Sequence, residues 1–186
     1  MGKIFILSAP AGTGKTSLVA RVVTEMPDFV ESISWTTRKP RTGEKKGEHY
    51  HFVTEEEFAA SLAGGEFLEH VELYGNRYGT SRQWIEQQLA EGKHVILVID
   101  TQGALQLFGQ MTVTSIFIQP PSLEELEKRL KGRGKDTEEA IATRLAVAKE
   151  EMILAHHYDH ILVNDQFEEA LAALKAFLKK ETEEKT

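Results

Sequence analysis

A glycine-rich segment near the start of the chain limits the possible folds more than any other feature of the sequence. It reads APAGTGKTS over residues 9–17, follows a short apolar run (Lys3–Leu7) and precedes a helical pattern that starts at Thr16. Gly12 and Gly14 allow the backbone to wrap closely around an anion, and the helix contributes the positive end of its dipole. This order predicts a phosphate-binding loop between the first strand and the first helix of an α/β fold.

Side chains in and beyond this loop suit phosphate chemistry. Lys15 can reach the outer phosphates of a nucleotide as a point charge, and the Thr16 hydroxyl suits a Mg²⁺ ion. Asp100 stands at the end of a later apolar run. Its carboxylate could be a second ligand near the Mg²⁺ ion, or it could equally well be the N-cap of a helix. Ala9 stands where the strict pattern has glycine, so the match is imperfect and an ordinary glycine-rich turn is the competing interpretation.

Composition and charge narrow the classes of function. The 186 residues suffice for one compact α/β domain with a small insertion. Twenty-two Lys and Arg against 29 Asp and Glu give a net charge of −7, which disfavours binding to duplex nucleic acid. The absence of cysteine excludes disulfides and thiolate zinc sites. The apolar run Ile4–Leu7 is too short for a signal peptide or a membrane span, so a cytoplasmic domain without a membrane partner is expected.

Strands and helices alternate along most of the chain. The continuous apolar runs His94–Ile99, Ser115–Ile118 and His160–Val163 are typical of strands buried on both faces, so a central parallel sheet flanked by helices is predicted. Capping-box spacing predicts where four helices begin: Thr54 with Glu57, Thr80 with Gln83, Ser122 with Glu125, and Asp136 with Glu139.

Residues 35–80 break that alternation. A charged loop rich in turn-forming residues (TTRKPRTGEKKGE) leads into a short strand, a helix and a hairpin-like segment, FLEHVELYGNRYG, with its turn at Gly75–Asn76. Tyr74 is expected to pack inside. We interpret this stretch as a small inserted lobe that binds a ligand of its own.

Two basic clusters stand out in this acidic chain. One contains Arg38 and Arg41, the other contains Arg133, and Arg144 follows one helix later. Glycines flank both clusters, as in mobile loops that close over a charged ligand. Arginine offers planar, bidentate donors to phosphate oxygens, so these arginines predict phosphoryl transfer between two phosphorylated molecules. For the neighbouring lysines a solvated charged surface is the preferred interpretation.

Taken together, these segments resemble guanylate kinase. The resemblance rests on motifs in the family's order, which cover nearly the whole chain: APAGTGKTS, SWTTRKPRTGEKKGEHYHF, FLEHVELYGNRYGTS, the segment with Ile99, Asp100, Gln102 and Gly103, RLKGRGKDTEEAIATR and VND. It implies a P-loop kinase that uses Mg²⁺ to transfer the terminal phosphate of ATP to GMP. It also implies a single domain over residues 1–186, with a core (1–34, 81–121 and 146–186), a GMP-binding lobe (35–80) and a mobile helical lid (122–145).

The resemblance implies these site residues. The ATP site would comprise Ala9, Pro10, Ala11, Gly12, Thr13, Gly14, Lys15, Thr16, Ser17, Arg133 and Asn164, the last at the family's adenine-contacting position. The GMP site would comprise Ser34, Arg38, Arg41, Tyr50, Glu69, Tyr78, Thr80, Asp100 and Arg144. Lys15, Arg38, Arg133 and Arg144 would carry catalysis, and Thr16 and Asp100 would hold the metal. The chemistry agrees, because one carboxylate such as Glu69 can accept the paired N–H donors of guanine.

Two alternatives to this enzyme remain open. Val98 stands where the family usually has aspartate, which leaves Asp100 and water to coordinate Mg²⁺ or GMP. The first alternative is therefore a protein-interaction module of the same fold with weak catalysis. The presence of four residues suited to ATP speaks against it: Lys15, Thr16, Arg133 and Arg144. The second is a kinase of another phosphorylated acceptor. The combination of Glu69 with Thr80 disfavours it, because the two match a purine edge.

Overall fold

A five-stranded parallel sheet forms the centre of the molecule, in a computed structural model that describes residues 2–132, 134 and 137–183. Its strands are β1 (Ile4–Ser8), β2 (Phe29–Ser32), β7 (His94–Val98), β8 (Thr114–Gln119) and β9 (His160–Val163). They stand in the order β2–β7–β1–β8–β9, and every pairing is parallel. All five carboxyl ends therefore meet at one edge, where α/β proteins place their ligands.

Helices cover both faces of this sheet. Phe5 and Leu7 of β1 face the cluster formed by α1 (Lys15–Glu25) and α7 (Phe167–Glu183). Ile4 and Ile6 face the opposite cluster, to which α3 (Arg82–Ala90) and α4 (Thr101–Leu107) contribute. Since side chains alternate along a strand, burial of both faces explains why β1, β7 and β8 read as continuous apolar runs. β9 also reads as an apolar run, but it is an edge strand whose Ile161 and Val163 are 45% and 46% exposed, so the prediction that it is buried on both faces is wrong. The predicted α/β architecture with a central parallel sheet is confirmed.

A second, smaller sheet lies within residues 35–81. Its strands are β3 (Trp35–Thr36), β4 (His51–Phe52), β5 (Phe67–Leu73) and β6 (Asn76–Ser81), in the order β4–β3–β6–β5. Helix α2 (Glu55–Ala63) packs on it through Phe58, whose ring stacks on Phe67 with centroids 4.5 Å apart. β5 and β6 form an antiparallel hairpin that supplies the centre and one edge of the sheet.

Two further helices pack against each other after β8. They are α5 (Leu123–Gly132) and α6 (Glu138–Leu154), and a single 3₁₀ turn, Ala155–His157, follows them. Leu126 and Leu130 of α5 share a buried cluster with Ile141 and Ala148 of α6. Within the described part of the chain, no helix has the length and apolar character that crossing a membrane requires.

Two of the four predicted helix starts are confirmed. Thr54 forms a complete capping box with Glu57, in which each side chain bonds the other residue's backbone N–H. Ser122 accepts a hydrogen bond from the N–H of Glu125 at 3.1 Å. Hydroxyl N-caps of this kind satisfy backbone donors that have no partner in the helix itself.

The other two predicted starts are wrong by one residue. Ser81, not Thr80, caps α3 by accepting from the N–H of Trp84 at 3.4 Å. Thr80 belongs to β6, and its hydroxyl donates to a buried carboxylate instead. Thr137 caps α6 by accepting from Ala140 at 3.2 Å, and the predicted cap Asp136 lies outside the described residues.

The hairpin turn lies one residue earlier than predicted, at Tyr74–Gly75. Both residues have positive φ, 51° and 72°, as the two central positions of a type I′ turn require. Tyr74 is 74% exposed, so the prediction that it packs inside is wrong. Its position at the tip of the hairpin directs the ring away from the sheet.

Candidate active site

The glycine-rich segment forms a tight loop between β1 and α1, and we call residues 9–17 the glycine loop. The N–H of Thr13 donates to the carbonyl of Pro10 at 3.2 Å, and Gly12 and Gly14 have φ of 92° and 97°. A Cβ on Gly12 would lie 2.8 Å from Leu130 Cδ2, so α5 also demands glycine there. Ala9 is buried and its φ is not positive, so alanine fits that position without strain.

The N-terminus of α1 is open towards the loop. Gly14 is the N-cap, no side chain caps the helix, and its first turn contains no acidic residue. The first-turn N–H groups and the helix dipole therefore favour an anion at this end. Thr16 and Ser17 are exposed in the same turn. This local geometry is what the sequence pattern predicts for a phosphate site.

Lys15 lies where the glycine loop meets the sheet edge. It is partly buried, and desolvation lowers the pKa of its ammonium group. Glu151, Asp100 and Glu31 act in the opposite sense, because their negative charges favour the protonated lysine. The three carboxyl groups come from α6, the end of β7 and β2, so three separate elements converge on this lysine.

Asn164, directly after β9, holds the glycine loop through a side-chain hydrogen bond. Its side chain is 4% exposed, and Nδ2 donates to the carbonyl oxygen of Thr13 at 2.7 Å. A Cβ on Gly14 would lie 2.7 Å from the same Nδ2. Arg129 in turn donates to the carbonyls of Asn164 and Asp165 at 2.8 and 3.2 Å. The structure thus gives Asn164 a contact with the loop, a role that the resemblance did not imply.

On the small sheet, Arg38 lies in a fork with Glu44. Its two terminal nitrogens donate to the two carboxylate oxygens at 2.9 and 3.0 Å, and this pair is largely shielded from solvent. Hydrogen bonding from Arg38 lowers the pKa of Glu44, so the pair is ionic. Glu44 also accepts the N–H of Arg41 at 2.8 Å. One carboxylate therefore organises the part of the charged loop that carries both arginines.

Tyr50 and Tyr78 lie next to this fork. The Arg38 guanidinium carbon is 5.2 Å from the centroid of the Tyr50 ring, and the Tyr50 and Tyr78 rings are 6.0 Å apart. Burial raises the pKa of Tyr50, so its hydroxyl stays protonated and able to donate. Arg38 and Tyr50 of the charged loop are thus brought together with Tyr78 of β6, and Arg41 joins them through its N–H bond to Glu44, in a combination suited to a phosphate group.

Glu69 lies on β5 of the small sheet and is buried against the start of α4. It is 4% exposed, and the hydroxyl of fully buried Thr80 donates to its Oε1. Burial raises the pKa of Glu69 to about 7, and the nearby charge of Asp100 adds to that shift. A buried carboxyl with one satisfied oxygen and a second oxygen at hand can accept paired N–H donors.

Asp100 caps α4 and stands between the two halves of the site. Its Oδ1 accepts from the N–H of Gly103 at 2.9 Å, which confirms the N-cap interpretation. Its charge acts on the pKa of both Lys15 and Glu69. The carboxyl edge of the central sheet and the small sheet therefore meet at the end of β7.

The remaining predicted site residues have fewer contacts with the groups described above. Ser34 is partly buried in the connection between β2 and β3, where its carbonyl accepts from the N–H of His51 at 2.9 Å. Arg144 is partly buried on α6, two turns before Glu151. Arg133 lies outside the described residues. Val98 packs against the core cluster on the α1 side of the sheet, so it is a core side chain.

No group of three or more metal-ligating side chains is found among the residues that the structure describes. His160 stacks on Phe177 with ring centroids 4.2 Å apart, and His94 accepts a hydrogen bond from the backbone of Lys3. These two histidines therefore serve packing and backbone bonding. A metal at the glycine loop would have to complete its ligand shell with phosphate oxygens and water.

Sequence reasoning missed three residues at the site, namely Glu31, Glu44 and Glu151, and it assigned no role to Gly103, although Gly103 lies in one of the motifs. Glu44 belongs to a charged loop whose lysines and glutamates all read as solvated surface. No sequence motif marks Glu31 or Glu151 as a site residue. The one available signal is that Glu151 follows Arg144 by seven residues, which places both on the same face of a helix.

An open helix N-terminus behind a glycine loop, together with a group of arginine and tyrosine side chains next to the small sheet, is the arrangement of an enzyme that moves phosphoryl groups between nucleotides. A sequence model of the family described as guanylate kinase matches residues 1–181. The guanylate kinase of Protochlamydia amoebophila is 53% identical over 177 residues, which are 95% of this chain and 90% of that protein. The guanylate kinase of Escherichia coli K12 is 50% identical over 183 residues, or 97% and 88% of the two chains.

A solved structure agrees. The crystal structure of guanylate kinase from Anaplasma phagocytophilum superposes with a TM-score of 0.79 at 37% identity, and the match covers 100% of this chain and 88% of that one. The chain belongs to the guanylate kinase family. It is a nucleoside monophosphate kinase that uses ATP to phosphorylate GMP to GDP.

Proposed function

We propose that the glycine loop binds the phosphates of ATP, that the small sheet binds GMP, and that the two nucleotides meet beside Asp100. The observation that carries this division is the position of Asp100, whose charge acts on Lys15 on one side and on Glu69 on the other. Since an electrostatic effect of this kind requires proximity, the donor and acceptor sites adjoin at the end of β7.

On the donor side, the N–H groups at the start of α1 and the ammonium of Lys15 would bind the outer phosphates of ATP. Asn164 holds the carbonyl of Thr13 and would in this way fix the loop's conformation for phosphate binding. Arg144, and Arg133 by the sequence motif, would add positive charge from the α5–α6 segment. We propose that this segment, residues 122–145, is the lid and that residues 35–80 are the GMP-binding lobe.

On the acceptor side, guanine would present its ring N–H and exocyclic amine to the Glu69 carboxylate. Thr80 already holds one oxygen of Glu69, and the Ser34 hydroxyl would donate to the guanine oxygen. The GMP phosphate would bind Arg38, Arg41 and the two tyrosine hydroxyls. Adenine offers an acceptor where guanine offers a donor, so AMP would leave buried groups unpaired.

The residues at the glycine loop fit a Mg²⁺ ion. Thr16 is exposed in the first turn of α1, and Asp100 supplies a carboxylate near Lys15. Mg²⁺ characteristically combines one or two such protein oxygens with substrate phosphates and water. We propose that Thr16 and Asp100 hold the ion, which would neutralise charge on the ATP phosphates. The enzyme would act in the cytoplasm, where ATP and GMP are available.

The transfer itself requires little proton chemistry. An oxygen of the GMP phosphate attacks the terminal phosphorus of ATP, and the bond to the bridging oxygen breaks, so that ADP leaves with the electron pair. The attacking oxygen is already anionic, so a strong base is unnecessary. Catalysis therefore consists of positioning and of charge stabilisation by Lys15, Arg38, Arg144 and the predicted Arg133.

One assay tests the function directly. ATP consumption is measured by a coupled reaction with GMP, dGMP, AMP and UMP side by side. We expect rapid consumption with GMP and turnover with AMP and UMP lower by several orders of magnitude, about 10⁴-fold where buried donors go unpaired. Consumption with none of the four nucleotides would indicate an interaction module. Preference for a different phosphorylated acceptor would contradict the role of Glu69.

The affinity for GMP should depend on pH through Glu69. Because burial raises the pKa of this carboxyl to about 7, it carries a proton below pH 7, and guanine binding must expel that proton. We therefore expect the KM for GMP to rise as the pH falls below 7, by up to about tenfold per pH unit. Titration calorimetry in two buffers of different ionisation enthalpy should show proton release on binding at pH 6.5.

The control for this measurement is the Glu69→Gln variant. The GMP phosphate itself titrates near pH 6, about the second pKa of a phosphate monoester. That contribution is common to both proteins, so the difference between their pH profiles belongs to Glu69. Identical profiles and equal proton release would contradict the prediction.

A further inference from the structure

Gly103 occupies the first turn of α4, where glycine is an unexpected residue. It is buried, and its φ lies outside the positive range that favours glycine. Glycine is less favourable than alanine inside a helix, so a buried helical glycine calls for a packing reason. Its backbone N–H bonds the Asp100 cap, but any residue except proline could donate that bond.

The packing reason is Glu69. A Cβ on Gly103 would lie 2.6 Å from Glu69 Oε2, 3.2 Å from Asp100 Oδ1 and 3.3 Å from Glu69 Cδ, so the severe clash is with Glu69. Real Cβ atoms essentially never approach an oxygen to 2.6 Å. The carboxylate therefore occupies the space that a side chain at position 103 would need.

Neither partner can easily move away. Thr80 holds the other oxygen of Glu69, and the side chain is 4% exposed, so it has little room to rotate. Gln106, one turn after Gly103, bonds the backbone of His70 in both directions, donating at 2.7 Å and accepting at 3.3 Å. These bonds attach α4 to β5 next to Glu69, so the helix cannot retreat without breaking them.

We propose that Gly103 is a specificity-determining positioning residue, which leaves the room that Glu69 needs to present its carboxylate to guanine. This inference rests on the proposed role of Glu69 as the guanine acceptor. Gly103 itself need not touch the substrate. Because glycine has no side chain, position 103 leaves space for the Glu69 carboxylate.

The test begins with Gly103→Ala. We expect the KM for GMP to rise about 10- to 100-fold, the effect of losing a hydrogen bond to a charged group. The preference for GMP over AMP should fall by a similar factor, and the KM for ATP should stay within about twofold. Gly64→Ala is the matched control, because a Cβ there meets only ordinary contacts at 3.5 Å and its φ is −74°.

A double variant separates the proposed clash from a general effect on α4. Glu69→Asp shortens the side chain by one methylene and withdraws its carboxylate from position 103. In that background, adding Gly103→Ala should change the KM for GMP by less than about twofold, whereas additive losses would overturn the proposal. Thermal unfolding gives the same comparison if Gly103→Ala alone fails to fold. Recovery of folding in the variant with both Glu69→Asp and Gly103→Ala then supports the proposal, and continued failure to fold overturns it.

The outcome for Glu69→Ala distinguishes the two levels of inference. If that variant keeps full preference for GMP, the proposed role of Glu69 fails and takes the role of Gly103 with it. If Glu69→Ala loses the preference while Gly103→Ala keeps wild-type kinetics, only the inference about Gly103 is overturned.

Discussion

Lys15→Ala should abolish phosphoryl transfer while leaving the binding of GMP largely intact. We expect kcat to fall by about 10³-fold or more, because the variant removes a fixed positive charge from the place where the ATP phosphates gain negative charge in the transition state. GMP would bind on the small sheet, away from this lysine, so its dissociation constant should change by less than about twofold. The measurements are ATP consumption in the coupled assay and titration calorimetry with GMP.

Lys179→Ala provides the control for Lys15→Ala. Lys179 is an exposed lysine on α7, with an ion pair to Glu183 at 3.7 Å, so its loss should affect neither quantity. Unchanged ATP consumption by Lys15→Ala would refute the assignment of the glycine loop as the donor site. A large loss of GMP affinity would instead refute the division of the site into two halves.

Glu69→Ala should relax the choice among nucleoside monophosphates. The variant leaves both guanine donors without an acceptor, so we expect kcat/KM for GMP to fall by about 10²- to 10³-fold. AMP loses an unfavourable contact at the same time, so the ratio of GMP to AMP turnover should fall at least as far. The assay with four nucleotides measures both effects.

Glu72→Ala is the matched control for Glu69→Ala. Glu72 lies on the same strand, β5, but it is exposed, so its removal should leave the GMP preference unchanged. Full retention of the preference in Glu69→Ala would show that another group selects the base.

The central sheet and the glycine loop could be predicted from sequence because both depend on local patterns. Continuous apolar runs are typical of strands that are buried on both faces. Gly12 and Gly14 adopt positive φ, a conformation that glycine favours, so these glycines indicated the loop from the sequence alone. Strand β2 was not predicted, and helix α4 was predicted only as one of two interpretations of Asp100. β2 has only two apolar residues in four, and α4 is short and contains Gly103, so neither shows a clear period.

Side-chain partners could not be predicted in the same way. The cap of α3 shifts from Thr80 to Ser81 because Glu69, eleven residues earlier, takes the Thr80 hydroxyl. Likewise, Asn164 contacts Thr13 across 151 positions in the sequence. Such pairings arise from how the sheets and helices pack in three dimensions, and no spacing rule encodes them. The motif identified Asn164 as important, whereas only the structure shows its bond to the loop.

The fork between Arg38 and Glu44 has a consequence for which anions can enter the acceptor site. Glu44 is joined to Arg38 through only a few residues, so its effective concentration at the guanidinium is high. A small anion that offers one contact competes poorly against this resident carboxylate. We expect that a phosphate ester able to reach Arg41, Tyr50 and Tyr78 at the same time would displace this carboxylate. In the proposed acceptor site, chloride and similar small ions would therefore bind weakly in the presence of Glu44.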